Sequence, residues 1–159
     1  MFTIERTVRV GIPLRTVYNQ LTQFEDYPRF MEGVLEVRQV TDSRIEWRAQ
    51  VEGEERTWRS EIVEQTPDQR IAWCSEEGPR NDAIMVFRPG ADNSTVLTLR
   101  IDHEPDTQPR SPGEYEAVLS RRVESDLCRF KEFMEQRGYE TGGWRGEIHQ
   151  GRVERGDPS

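Results

Sequence analysis

Long apolar runs are missing from this chain, and so is any dense block of lysine and arginine. No stretch approaches the roughly 20 apolar residues that cross a bilayer. The opening Met1-Phe2-Thr3-Ile4-Glu5-Arg6 has no basic segment leading into an apolar one, so neither a membrane span nor a signal peptide is expected. Acids exceed bases over the 159 residues, and the net charge is −8. Nucleic acid is held by counterion release along a basic stripe, and anionic headgroups repel an acidic surface, so both partners are disfavoured. Cysteine is scarce. Cys74 and Cys128 lie far apart without metal-ligand spacing, which predicts two reduced, partly buried thiols in a cytoplasmic protein. A nucleotide-binding glycine loop, a zinc pattern and a nucleophile elbow are also absent, and Gly142-Gly143 precedes no helix pattern. The acids Glu52, Glu54, Glu55, Glu76 and Glu77 gather at hairpin ends without the converging spacing of a divalent site. No metal and no cofactor are expected.

What is present is periodicity. Phe2 to Val10 alternates as a strand, and Leu14, Val17, Tyr18 and Leu21 recur at helical spacing behind Pro13. Thr22-Gln23-Phe24-Glu25 has the form of a capping box opening a second short helix, which Pro28 interrupts. From Val34 the period becomes two. Strands are predicted over Val34–Val40, Ile45–Val51, Arg56–Ile62, around Ile71–Trp73, over Ala83–Arg88 and over Thr95–Glu104, joined by hairpin-length turns. Short connections between successive strands mean an antiparallel meander, not βαβ units.

Ser111-Pro112-Gly113-Glu114 then reads as a helix start, with a serine cap, a first-turn proline and a glutamate. Gly138 stands as the C-cap. Between them Tyr115, Leu119, Val123, Leu127, Phe130 and Met134 form one apolar stripe. The domain is expected over residues 1–138, with 139–159 a polar, loosely ordered tail whose one candidate for docking is Trp144. The fold class is α+β, a curved sheet of about seven strands around a long C-terminal helix.

Three stretches carry a family resemblance: Phe24-Glu25-Asp26-Tyr27-Pro28-Arg29-Phe30-Met31 with Val34, Pro67-Asp68-Gln69-Arg70-Ile71-Ala72-Trp73, and Arg121-Arg122-Val123-Glu124-Ser125-Asp126-Leu127 with Phe130. Over residues 2–138 the chain resembles the START-like superfamily in its bacterial polyketide cyclase/dehydrase-like branch, which is similar to coenzyme Q-binding proteins. The resemblance implies the helix-grip fold and a hydrophobic small molecule as partner. It does not choose among carrier, aromatase/cyclase and dimeric interaction module, because fold does not fix function.

Trp47, Trp58 and Trp73 fall on the apolar register of consecutive strands, where they line either a pocket or a packed core. Met85, Phe87 and Leu99 share that inward register, and Leu119 and Val123 face them from the helix. Tyr27, Phe30 and Met31 lie where related folds close one mouth of the cavity. Arg56 and Ser60 share the Trp58 face. His103 turns inward as a weak catalytic candidate without a partner legible in the sequence, and His149 belongs to the polar tail.

Overall fold

The computed structural model describes residues 1–51 and 53–156. Glu52, expected at a hairpin turn, and the last three residues of the expected tail lie outside the described residues. Strand β1 (Phe2–Val10) leads into α1 (Leu14–Leu21) and a 3-10 helix over Phe24–Arg29. Six strands follow: β2 (Val34–Thr41), β3 (Arg44–Val51), β4 (Glu54–Thr66), β5 (Arg70–Ser75), β6 (Asn81–Pro89) and β7 (Thr95–His103). Helix α2 (Pro112–Arg137) comes next, then β8 (Glu147–His149) and β9 (Arg152–Arg155). The order across the sheet is β1-β7-β6-β5-β4-β3-β2, with antiparallel neighbours. Register breaks in β2 and between Ile62 and Glu64 of β4 mark where bulges bend the strands.

The sheet curls around α2, which lays Val123, Leu127, Phe130 and Met134 into it. The core is aromatic at its centre. Trp47 and Trp73 ring centroids are 5.5 Å apart, Phe24 meets Trp73 edge-on at 5.8 Å, and Tyr27 meets Trp47 at 6.0 Å. Edge-to-face contacts of this kind add to plain burial. Gly138 closes α2 in the left-handed region, at φ 78, a conformation glycine adopts without cost.

Two cap assignments are corrected. The Thr22 hydroxyl donates to the Asn19 carbonyl at 2.6 Å, so it closes α1 and no capping box opens the Phe24 turn, which is 3-10. Ser111 precedes Pro112 as expected, yet its side chain makes no cap bond. The cysteines are unbridged, with Cys74 half-buried and Cys128 exposed.

The segment after Gly138 departs furthest from expectation. It crosses α1, and β8 then pairs with β4 at Glu64↔His149 and Gln65↔Ile148, giving nine strands where seven were expected. Ile148 is fully buried. Buried Gln20 accepts the Thr141 N–H at 2.9 Å, and Thr22 Oγ1 accepts the Trp144 N–H at 2.9 Å. Arg145 reaches Asn19 Oδ1 and Asp68 Oδ2, each at 2.7 Å. The strap passes so close to α1 that a Cβ on Gly143 would sit 2.8 Å from Asn19 Cγ. Glycine at 143 serves this approach.

Candidate functional site

The middle of the grip is filled. Between sheet and helix lies a void of about 40 Å³, bordered by Leu21, Tyr27, Phe30, Met31, Trp73, Met85, Leu99 and Asp126, among others. Pockets that take small organic ligands run to about 300–1,000 Å³, so this void holds none of them. Of the two readings of the inward register, pocket wall or packed core, the second holds under the helix, where bulky rings from the 3-10 helix, β5 and α2 occupy the space.

The large volume lies at one end, where α2 begins and the sheet is not covered. An open cleft of about 1590 Å³ is bordered by β3, β4, the 104–111 loop and the first turns of α2. Its floor is a pair of indoles: Trp47 and Trp58 are opposite in register, and their rings lie parallel to within 5° at 5.9 Å. Trp47 is buried, with Nε1 donating to Ser60 Oγ at 3.1 Å, while Trp58 is half-buried and borders the opening. Val118 and Leu119 face it from the helix, Val118 being 58% exposed. The opening continues over the sheet edge past Arg48 and Arg59, which lie on the opposite register from the indoles.

His103 ends β7 at this cleft. Its Nε2 lies 2.7 Å from Tyr115 Oη, and the two rings are near-parallel at 5.9 Å. Either atom donates, depending on the imidazole tautomer. Burial holds the imidazole pKa below its ordinary value, with Asp106 opposing that shift. A neutral imidazole beside a phenol can pass a proton in either direction near neutral pH. Arg56 is engaged by Glu54 at 3.3 Å and by Asp106.

The expected site residues therefore divide. Trp47, Trp58, His103 and Leu119 come together at the cleft. Trp73, Met85, Leu99, Phe30 and Met31 border the small inner void instead. Phe87 and Val123 border neither and are core, Phe87 meeting Tyr18 edge-on at 5.2 Å. His149, expected in solvent, is half-buried beside Glu147 at 3.3 Å.

Two groups escaped the sequence reading. Tyr115 was legible only as one position of the helix stripe, because a loop separates it from His103. Asp126 had a usable signal, since it falls in phase with Val123 and Phe130 on the buried face. It is 8% exposed, and burial pushes its carboxyl up to about 6, opposed by the Glu32 N–H and by Arg122 and Arg129. Among the described residues no cluster of His, Cys, Asp or Glu has the arrangement of a metal site. No helix there is long and apolar enough to cross a membrane.

Comparison with known proteins agrees with this architecture. A START superfamily protein from Mycobacterium smegmatis superposes with a TM-score of 0.75 at 15% identity, covering 84% of this chain and 97% of that one. The Zhui aromatase/cyclase from Streptomyces sp. R1128 superposes with a TM-score of 0.72 at 21% identity, over 89% and 98% of the two chains. At these identities the likeness is one of fold. An uncharacterized 17.2 kDa protein of the melC2-rnhH intergenic region of Streptomyces lincolnensis is 40% identical over 149 residues, 93% of this chain and 99% of its own. Residues 10–134 match the family described as polyketide cyclase / dehydrase and lipid transport, so hydrophobic-ligand binding or cyclase activity is the functional class. This chain belongs to the polyketide cyclase/dehydrase and lipid transport family.

Proposed function

We propose that the chain is a binding protein for a small aromatic or hydrophobic molecule of polyketide, quinone or lipid-like kind, held in the open cleft at the start of α2. The observation that carries this reading is the stacked Trp47–Trp58 pair, whose outer ring borders a volume large enough for such a ligand, with exposed Val118 bordering the same cleft. An indole left half-exposed opposite an aliphatic wall costs hydration that a flat apolar guest relieves. Titration with hydrophobic aromatic compounds is expected to quench tryptophan fluorescence and raise the unfolding temperature. A ligand at 100 times its dissociation constant adds about 2.7 kcal/mol. A panel of such compounds that gives neither quenching nor a thermal shift would sink the reading.

A second reading, a cyclase of the aromatase kind, is favoured by the His103–Tyr115 pair at the same cleft. There the cleft would fold a reactive chain against the indoles, and orientation alone can supply much of the acceleration. The two readings share the site and differ in whether His103 moves a proton.

A further inference from the structure

We infer that the ligand of this cleft is an aromatic carboxylic acid, its rings on the Trp58 face and its carboxylate on the guanidinium of Arg122. The assignment rests on the binding role proposed above and adds to it the charge of the ligand.

The chain as a whole repels anions, with a net charge of −8. A site for an anion therefore needs a local cation not already neutralised. Most arginines bordering the cleft fail that test. Arg38 and Arg59 share Glu46, Arg48 bridges Glu36 at 3.5 Å and Glu55 at 2.7 Å, and Arg56 is held by Glu54 and Asp106. Arg110 and Arg122 also border the cleft; among the described residues neither is held in a direct ion pair or hydrogen bond, although Arg122 lies close enough to Asp126 to favour the charged form of that carboxyl. Arg110 stands in the loop with Glu104 and Asp106, close in sequence to Glu114, all of which border the cleft too. Its surroundings are acidic.

Arg122 stands elsewhere. It follows Glu114 by eight residues of α2, roughly 12 Å along the axis, and follows Leu119 by three, on the same side of the helix. Its guanidinium lies over the start of β2 and the end of β3, far from their hairpin turn: a Cβ on Gly33 would come within 3.1 Å of Nη2, and Gly33 in turn accepts the Gln50 N–H at 2.7 Å. The acids behind it have partners of their own: Glu32 pairs with Arg129 at 3.3 Å, and Asp126 Oδ1 takes the Glu32 N–H. Asp126 acts on Arg122 through the field and not through a direct bond, which leaves the guanidinium N–H donors open to a ligand. The cleft thus has an acidic end at the 104–111 loop, an aromatic middle, and the guanidinium of Arg122 at the other side.

A planar guanidinium matches a carboxylate with two parallel hydrogen bonds. A neutral quinone or a lipid ester offers single carbonyl acceptors without charge, and so makes the weaker, one-point contact. An aromatic acid uses both features, and the acidic end orients it by repulsion.

The probes are 2-naphthoate and its neutral counterpart 2-naphthamide, titrated at low ionic strength into the wild type and Arg122→Gln with tryptophan fluorescence as the readout. Naphthoate is expected to bind the wild type about fivefold or more tightly than the amide, and the preference should fall to about one in Arg122→Gln while amide affinity holds. Arg122→Lys should keep part of the preference, since charge remains without the planar fork. Equal binding of acid and amide by the wild type, or a preference that survives in Arg122→Gln, would overturn the charge assignment and leave the binding role standing. Failure of both probes to bind would remove the binding role, and this inference with it.

Discussion

Asp126 Oδ1 accepts the backbone N–H of Glu32 at 3.0 Å, fastening the middle of α2 to the segment that joins the 3-10 helix to β2. The bond crosses from the helix to the residues that cover the inner void, Phe30 and Met31. It holds a carboxyl that burial raises to about 6.

The pH dependence follows from that shift. Unfolded, an aspartate titrates near 3.9. Below about pH 4 both states hold the proton. Between about 4 and 6 the folded chain holds more, so stability falls as pH rises through that window, by roughly 2–3 kcal/mol in all. Asp126→Asn keeps an oxygen for the Glu32 N–H and removes the charge. It should be more stable than wild type at pH 8 by about 1–3 kcal/mol, with the gap closing near pH 4. Urea unfolding at the two pH values measures this; an asparagine variant no more stable at pH 8 refutes it.

The two stacked indoles should respond oppositely to truncation. Trp47 is buried and hydrogen-bonded to Ser60, so Trp47→Ala should cost about 3–5 kcal/mol. Trp58 borders open volume, so Trp58→Ala should cost less, about 1–2 kcal/mol, while abolishing ligand-induced stabilisation. Thermal unfolding with and without ligand separates them. A Trp58→Ala protein as unstable as Trp47→Ala would make that ring core and not wall.

His103 distinguishes carrier from enzyme. If it moves a proton, His103→Gln should lower turnover by about 10²–10⁴ with ligand affinity nearly intact. Tyr115→Phe, which removes the hydroxyl 2.7 Å from His103 Nε2, should then shift the acid limb of the pH–rate profile. Unchanged turnover in His103→Gln would take the residue out of the chemistry.

The C-terminal strap is expected to be part of the stable unit. Removing residues 140–156 uncovers Gln20, Thr22 and the β4 edge and deletes fully buried Ile148. Ile148→Ala alone should cost about 2–4 kcal/mol, against a total of about 5–15 for such domains. A truncated chain with the wild-type denaturant midpoint would show that the strap only decorates the surface.

Local pattern determined most of the frame. Alternation marked the strands of the meander because one face of each is buried and the other wet. The three-and-four spacing from Tyr115 to Met134 marked α2 for the same reason, and Pro112 and Gly138 marked its ends. The strap was not legible that way. Its buried atoms are few, chiefly Ile148 and parts of Trp144 and Arg145, and its hydrogen bonds go to α1 more than 100 residues earlier, as with Asn19 and Arg145. Composition sees only a polar, glycine-rich tail there.

Inward register, which the sequence alone determined for the tryptophans, says that a side chain faces the helix and not whether anything is left between them. Trp73 and Trp58 share that register, yet one is sealed among Phe24, Tyr27 and Trp47 while the other borders the cleft. Only the tertiary structure decided this, because free volume depends on how rings from the 3-10 helix, β3, β5 and α2 meet in space. The same holds for His103 and Tyr115, whose 2.7 Å contact spans a loop, and for Arg122, whose guanidinium borders the cleft because of where the neighbouring carboxylates end up.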